Sequence, residues 1–422
     1  MRKKVLIHSL VFSPDGVSTA YLYNDIAGRF AESGYEVVVL TTTPHYNLVK
    51  EELVKQPLIK RYSGLYYESD FKGIKVLHVP QKKFKSTFLR IIGFAYWHLL
   101  SSLLALLQKN ISLIISPSPP LTLGVINIII GKIKGAKVIY NVQEIYPDFL
   151  INYSGLKFKP VVSLLKGLER FVYNYSDAVT TIDKIFYNTI VPRFKNPSKL
   201  AVIPNFVDTD LYKPFPLGSL LLLNKDLFPE NDKILKVMYA GNIGHAQDWK
   251  PLIEVAKSLI GSPIEFWIIG EGVMKSHLQS EILENKLANI HLLPYQPRDC
   301  MPTLIAYADI HFIFMSPEME GQGFPSKVYS IMACAKPLLV ISGKNTPIFN
   351  FLNSLNCAFI VTEGSMDEKC LAIVQFLRSS LVDKSYLKIL GNNGLREIQR
   401  HYSKAHVTKQ YVNLLDKLLK HD

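Results

Sequence analysis

Residues 4–41 read KVLIHSLVFSPDGVSTAYLYNDIAGRFAESGYEVVVLT. The run from Lys4 to Leu10 is apolar and β-rich, and Ser13-Pro-Asp-Gly-Val-Ser-Thr19 is a polar loop. Ala20–Ser33 has helical periodicity and is ended by Gly34, and Glu36–Thr41 is again a strand. Strand, loop, helix, strand in this order opens a parallel doubly wound sheet. The pattern returns at Leu113–Ser116, a PSPP loop, a helix to Ile133 and a strand at Lys137–Val142.

The second half restarts the pattern. Strands are predicted at Leu235–Tyr239, Glu265–Ile269, Ile290–Leu293, Ile310–Met315 and Pro337–Ile341, and helices at Trp249–Ile260, Met301–Ala308 and 326–335. Two α/β halves are expected to meet near residues 204–216 with a cleft between them. Ligands of open α/β sheets bind at the C-terminal ends of the strands. The expected division is 1–205, 206–400, and a C-terminal helix in 401–422 packing back toward the N-terminal domain.

Composition narrows the function classes. The 422 residues are 48% hydrophobic and 20% charged, which excludes a disordered chain. The four cysteines form no CxxC pair, so neither a disulfide framework nor structural zinc is expected. The start reads as a strand and not as a signal peptide, pointing to a cytoplasmic protein. The net charge is +13, and before residue 211 there are 26 basic and 15 acidic residues. From Phe71 to Gln143 there are ten Lys/Arg and no acid. A one-sided excess favours an anionic partner, nucleic acid or an anionic membrane surface. Ile91–Gln108 is 18 residues without a formal charge, the length of a spanning-helix candidate. His98, Ser101, Ser102 and its place within a β/α series favour a buried or membrane-facing amphipathic helix.

Three glycine-bearing loops and one carboxylate carry the candidate chemistry. Asp15-Gly16 follows the first strand, where backbone N–H groups can face an anion; a plain turn is the alternative. Gly241-Asn242-Ile-Gly244 repeats that placement, but it is neither a P-loop nor a GxGxxG fingerprint. Gly321-Gln-Gly323-Phe-Pro-Ser326-Lys327 enters a helix, and its N–H groups, Ser326 and Lys327 suit a diphosphate. Glu144 follows a strand end and is a candidate acid/base or hydroxyl-binding group, against a helix cap or surface pair. Asp208 and Asp210 resemble a DxD metal motif in isolation but read as turn residues. No zinc-type cluster or G-x-S-x-G elbow is found, and no metal or cofactor is expected.

With FSPDG, GYEVVVLTTTPHYN, QEIYPD, VIPNFVDTDLYKP, YAGNIGHAQDW, IIGEG and PSKVYSIMACAKP in this order, the chain resembles the retaining GT-B glycosyltransferases of family 4. It is most similar to the bacterial colanic acid, O-antigen and capsule group, including fucosamine-transferase-like members. The resemblance implies two Rossmann-like domains facing each other across a cleft. The N-terminal domain would take the acceptor and the C-terminal domain a nucleoside-diphosphate sugar. Asp15 and Gly16 would face the donor, and Gly241, Asn242, Gly244 and Gln247 the phosphate side. Tyr295, within Leu293–Gln296, would adjoin the base, and Gly323 to Lys327 would cradle the pyrophosphate.

Ser330 stands where many relatives carry a ribose-binding Glu. Asn242 and Gln247 stand where many carry Arg and Lys, and Gln143 where some carry a His. The implied activity is sugar transfer with retention, without metal, to a lipid-linked saccharide in cell-surface polysaccharide biosynthesis, by a protein peripheral on the inner face of the membrane. A nucleotide-sugar epimerase would need more acid/base groups than Glu144. A nucleic-acid binder would want aromatics interleaved with Lys/Arg, whereas the basic stretch is Leu/Ile-rich. The loss of the family's paired Glu residues, with Gln322 and Ser330 in their places, leaves a non-catalytic homologue as a further alternative.

Overall fold

A computed structural model describes residues 2–46, 50–81, 86–154, 158–215, 223–317 and 324–420. The chain divides into two compact units, Met1–Asn205 with Ala405–Asp422, and Phe206–Lys404.

The first unit is built on a nine-stranded sheet. Its strands are β1 (Lys4–His8), β2 (Glu36–Thr42), β3 (Ile59–Arg61), β4 (Tyr66–Phe71), β5 (Ile74–Val79), β6 (Ile111–Pro117), β7 (Lys137–Val142), β8 (Ala178–Thr181) and β9 (Leu200–Val202). Their order is β3-β4-β5-β2-β1-β6-β7-β8-β9. β1 pairs in parallel with β2 (Val5 opposite Val37) and with β6 (Val5 opposite Leu113). The β3–β4 and β4–β5 pairs are antiparallel. Sequence periodicity gives no sign of this extension, because β3 is wholly exposed and β4 mixes Glu68, Ser69 and Asp70 with its aromatics.

The long uncharged stretch forms the helix Thr87–Leu107. Trp97, Leu100, Leu104 and Ala105 enter a core with Leu6, Val38, Leu77 and Ile114. Phe88, Ile92, Tyr96, Leu99, Leu103 and Leu107 recur every three or four residues and are exposed. It is the one helix among the described residues long and apolar enough to cross a membrane. One face is therefore sheet core, and the opposite face is apolar and uncovered.

The C-terminal helix Lys404–Lys420 packs onto this same unit through Val407, Tyr411, Leu415 and Leu419, all buried. Burial stabilises each such side chain by about 1.5–3 kcal/mol. The Tyr411 hydroxyl accepts from Asn141 Nδ2 (3.2 Å), Tyr35 donates to Asp416, and Lys3 Nζ donates to the Leu419 carbonyl (2.6 Å).

The second unit has a wholly parallel six-stranded sheet. Its strands are β10 (Leu235–Ala240), β11 (Ile264–Ile269), β12 (Ile290–Leu293), β13 (Ile310–Phe314), β14 (Leu338–Ile341) and β15 (Ala358–Val361). The order β12-β11-β10-β13-β14-β15 reverses direction between β10 and β13. That reversal is a topological switch point, where open α/β sheets leave a crevice at the strand ends. Val237, Phe266, Phe312 and Leu339 belong to the core on one face of the sheet, and Ile313, Val340, Val328 and Met332 to a core on the other.

Candidate functional site

The C-terminal ends of β10 and β11 meet backbone to backbone. The Gly241 N–H donates to the Ile269 carbonyl (2.9 Å), the Ile243 N–H to the Glu271 carbonyl (2.9 Å), and the Met274 N–H to the Ile243 carbonyl (3.0 Å). Gly270 has φ +156°, and a Cβ there would lie 1.8 Å from the Gly241 carbonyl oxygen. Only glycine fits this approach.

Lys327 begins the helix Lys327–Ala333, which follows β13 and thus stands beside β10 at the switch point. Its ammonium lies 3.6 Å from the centroid of the Tyr239 ring. It sits so close to Gly241 that a Cβ at that residue would be 2.5 Å from Nζ. Tyr239 is 3% exposed, and its hydroxyl donates to the Asn242 carbonyl (2.6 Å). Among the described residues no carboxylate pairs with Lys327. Desolvation pulls its pKa down to about 7. The Tyr239 face offsets part of the cost of that burial, since a desolvated cation–π contact is worth roughly 2 kcal/mol. Here a cation has an aromatic support and, among the described residues, no carboxylate partner, which suits an anion site. Tyr239 was not among the sequence candidates. Strand alternation places it on the same face as Gly241, and that was its available signal.

The other predicted contacts are distributed unevenly. Asn242 is exposed beside Gly244, whose added Cβ would come 2.9 Å from Asn242 Nδ2. Tyr295 follows β12 and is 53% exposed, its hydroxyl 3.5 Å from the Glu271 carbonyl. Ser326 is exposed at the helix entrance, and Ser330 Oγ donates to the Lys327 carbonyl (2.9 Å). The entrance offers fewer free amides than expected. Those of Val328 and Tyr329 donate to the Pro325 and Ser326 carbonyls (3.0 and 3.2 Å). Gly323, with Gly321 and Gln322, lies outside the described residues.

Gln247 departs from its expected substrate contact. It is 8% exposed, its Oε1 accepts from the Phe314 N–H (3.2 Å), and its Nε2 donates to the Ala246 carbonyl (3.3 Å). The end of β13 needs an acceptor for its amide, and Gln247 supplies it. Asp208 is a turn residue, as expected. Its Oδ1 accepts from the Asp210 and Leu211 N–H groups (3.0 and 3.3 Å), and Lys404 pairs with Oδ2.

In the first unit, the Asp15-Gly16 loop corrects the anion-facing reading. The Asp15 N–H donates to the Phe12 carbonyl and the Gly16 N–H to the Tyr46 carbonyl, both at 2.9 Å. Asp15 is buried, and its Oδ1 accepts from the His45 and Tyr46 N–H groups at 2.8 Å each. Burial raises its pKa despite those two amides, and Oδ2 is buried without a partner. The loop offers a carboxylate in place of free amides.

Glu144 follows β7 on a loop pinned by Ser118. Ser118 Oγ accepts from the Gln143 and Glu144 N–H groups (3.0 and 3.2 Å) and donates to the Glu144 carbonyl (2.8 Å). The Glu144 carboxyl is half-buried, and desolvation raises its pKa. Gln143 is tied reciprocally to Asn205, each amide nitrogen 3.0 Å from the other's oxygen. It holds the strand end and leaves Glu144 as the carboxylate of that loop.

Two α/β units, one with a switch-point lysine that pairs with no carboxylate among the described residues and one with a strand-end carboxylate, fit a GT-B glycosyltransferase. The sequence model described as Glycosyltransferase Family 4 matches residues 20–211, and that described as Glycosyl transferases group 1 matches residues 224–396. The first unit therefore carries a family 4 glycosyltransferase domain and the second a group 1 glycosyltransferase domain. Its curated relatives include WcaI of Escherichia coli (strain K12), whose name assigns it to colanic acid biosynthesis as a glycosyl transferase. WcaI is 24% identical over 97% of this chain and 99% of its own. The alpha-galactosylglucosyldiacylglycerol synthase of Streptococcus pneumoniae is 24% identical over 60% of this chain and 65% of its own. The crystal structure of Anabaena Alr3699/HepE in complex with UDP shares the fold, with a TM-score of 0.70 at 14% identity, over 98% of this chain and 100% of that one.

Gly270→Ala tests the backbone contact beneath Lys327. The strained φ and the blocked approach to Gly241 should destabilise the second unit by about 2–4 kcal/mol, measured by urea unfolding. A variant as stable as the wild type would show that the strand ends can separate.

Proposed function

We propose that this glycosyltransferase moves a sugar from a nucleoside-diphosphate sugar to a hydroxyl of a lipid-linked saccharide in cell-surface polysaccharide biosynthesis. One observation carries the donor assignment: the desolvated Lys327 ammonium against Tyr239 and Gly241, with no carboxylate partner among the described residues. A diphosphate supplies the missing counter-charge, and as that diphosphate departs Lys327 stabilises its growing negative charge without a metal. The UDP complex of the Anabaena protein supports a nucleotide donor, and the name of WcaI supports the pathway class. Likeness to family 4 supports retention at the anomeric carbon.

Glu144 serves as the group that orients or deprotonates the acceptor hydroxyl. Its raised pKa suits proton acceptance better than that of a fully solvated carboxylate. The lipid-linked acceptor and peripheral attachment to an anionic membrane rest on the uncovered apolar face of the Thr87–Leu107 helix and on the basic excess around it. The pneumococcal relative, named as a synthase of a glycosyl diacylglycerol, supports a lipid acceptor. Lys82, Lys83 and Lys85 of that basic stretch lie outside the described residues.

Lys327→Ala should weaken nucleotide-sugar binding about tenfold to a hundredfold, the worth of a charge-assisted contact, in a thermal-shift series with UDP-, GDP- and dTDP-sugars. Unchanged affinity for all of them would overturn the donor assignment. Glu144→Gln should lower transfer by about 10²-fold or more while leaving donor binding intact. Wild-type transfer in that variant would make Glu144 a structural residue of its loop.

A further inference from the structure

The Glu144 carboxyl has no hydrogen bond or ion pair of its own among the described residues, so its place is set by the backbone that carries it. That backbone has two supports, and both run to Asn141. The first is the Ser118 hydroxyl, which holds the Gln143 and Glu144 amides. Ser118 is in turn placed by its own N–H, which donates to the Asn141 carbonyl (2.8 Å). The second is the Gln143 side chain. Its Nε2 donates to Asn141 Oδ1 (2.7 Å) as well as entering the reciprocal pair with Asn205.

Asn141 is fully buried, and each polar atom of its side chain is used. Oδ1 also accepts from the Tyr23 hydroxyl (3.2 Å). Nδ2 donates to Thr180 Oγ1 (2.9 Å) and to the Tyr411 hydroxyl (3.2 Å). An amide with two acceptances and two donations has one orientation, because turning it would leave buried groups unpaired. Its partners come from the helix Ser18–Glu32, from β8 and from the C-terminal helix. The Gln143–Asn205 pair spans 62 positions and the Asn141–Tyr411 bond 270, so neither is a local turn contact. Asn205 is the last residue before the chain leaves the first unit, and the helix with Tyr411 is where it returns.

We infer that Asn141, Gln143 and Asn205 are positioning residues: their side-chain amides hold the Glu144 loop so that its carboxyl stays half-buried at the strand end, ready for the acceptor hydroxyl. The inference rests on the role of Glu144 given above and names what places it. The three amides act through the loop and not on the substrate. Desolvation raises the Glu144 pKa, and no charged side chain contributes to that rise. The titratable group it interacts with is Tyr146, itself pushed up to about 12 by burial and then by the Glu144 charge. Loosening the loop admits water to the carboxyl. The Glu144 pKa then falls back toward the ordinary carboxylate value.

The test follows the glutamate carboxyl carbons of the full chain by carbon NMR through a pH titration. The Glu144 signal is identified by its loss in Glu144→Gln. Gln143→Met keeps the length of the side chain and removes its hydrogen bonds, and Asn205→Ala removes the partner. In the wild type Glu144 should titrate above the ordinary glutamate value, and in each variant its midpoint should return toward that value. The double variant should match Gln143→Met, since Asn205 acts through Gln143. Nucleoside-diphosphate release is measured on the UDP-, GDP- or dTDP-sugar that binds, with water in place of the acceptor hydroxyl. Its kcat should fall about tenfold to a hundredfold in the variants, with KM unchanged.

An unmoved Glu144 midpoint in both variants would overturn the inference. So would a lowered kcat with no change in the midpoint, which marks plain structural damage. A moved midpoint with wild-type kcat, where Glu144→Gln is slow, would overturn the link to the reaction. Wild-type release in Glu144→Gln fails the acid/base reading itself, and the midpoints then decide separately whether the amides place the carboxyl.

Discussion

A lysine is held desolvated at the switch point of the second sheet, without a carboxylate partner among the described residues, and much of the local sequence follows from that. Lys327 can be desolvated because Tyr239 gives it an aromatic face and Gly241 gives it room. Gly241 can stay open because Gly270 lets the next strand end close up behind it. A larger side chain at either glycine would collide with the ammonium or with a carbonyl. Removing the Lys would relieve a burial cost while leaving an anion site without its cation. A structure that keeps a cation desolvated in this way gives up stability at a place where binding restores the balance.

The first unit has a different character. Its sheet is covered on one side by a helix whose inner face is core and whose outer face is apolar and exposed. Its strand-end chemistry is carried by carboxylates, Asp15 buried under two amides and Glu144 half-buried on a Ser118-pinned loop. Burial raises both pKa values. In the proposed function the second unit brings a lysine to an anion and the first a carboxylate to a hydroxyl.

Nine strands of the parallel pairs, β1, β2, β6, β7 and β10 to β14, were legible in the sequence because each is a short apolar run between turn signals, whereas β5, β8, β9 and β15 were not predicted. β7 and β12 coincide with their predicted bounds, Lys137–Val142 and Ile290–Leu293. β3 and β4 were not legible, since exposed and mixed residues leave no periodic signal. Lys327 and Glu144 were legible as chemistry at strand and helix ends. The Asp15-Gly16 amides and Gln247 were misread for one reason. Sequence shows which groups a loop contains but not which of them the fold has already bonded. Tyr239 was missed because its role is to touch another residue far along the chain, and a strand aromatic otherwise reads as core.

The most direct test of the Lys327 site counts protons. Calorimetric titration of the nucleotide sugar that binds, at about pH 8 and in two buffers of different ionisation enthalpy, measures net proton uptake. Lys327, with a pKa of about 7 in the free protein, is mostly neutral under those conditions, and a diphosphate beside it restores the ammonium. Wild-type protein should therefore take up close to one proton per nucleotide sugar bound, and Lys327→Ala should take up none. Tight binding by the wild type with no proton uptake would contradict a desolvated Lys327 as the diphosphate's partner.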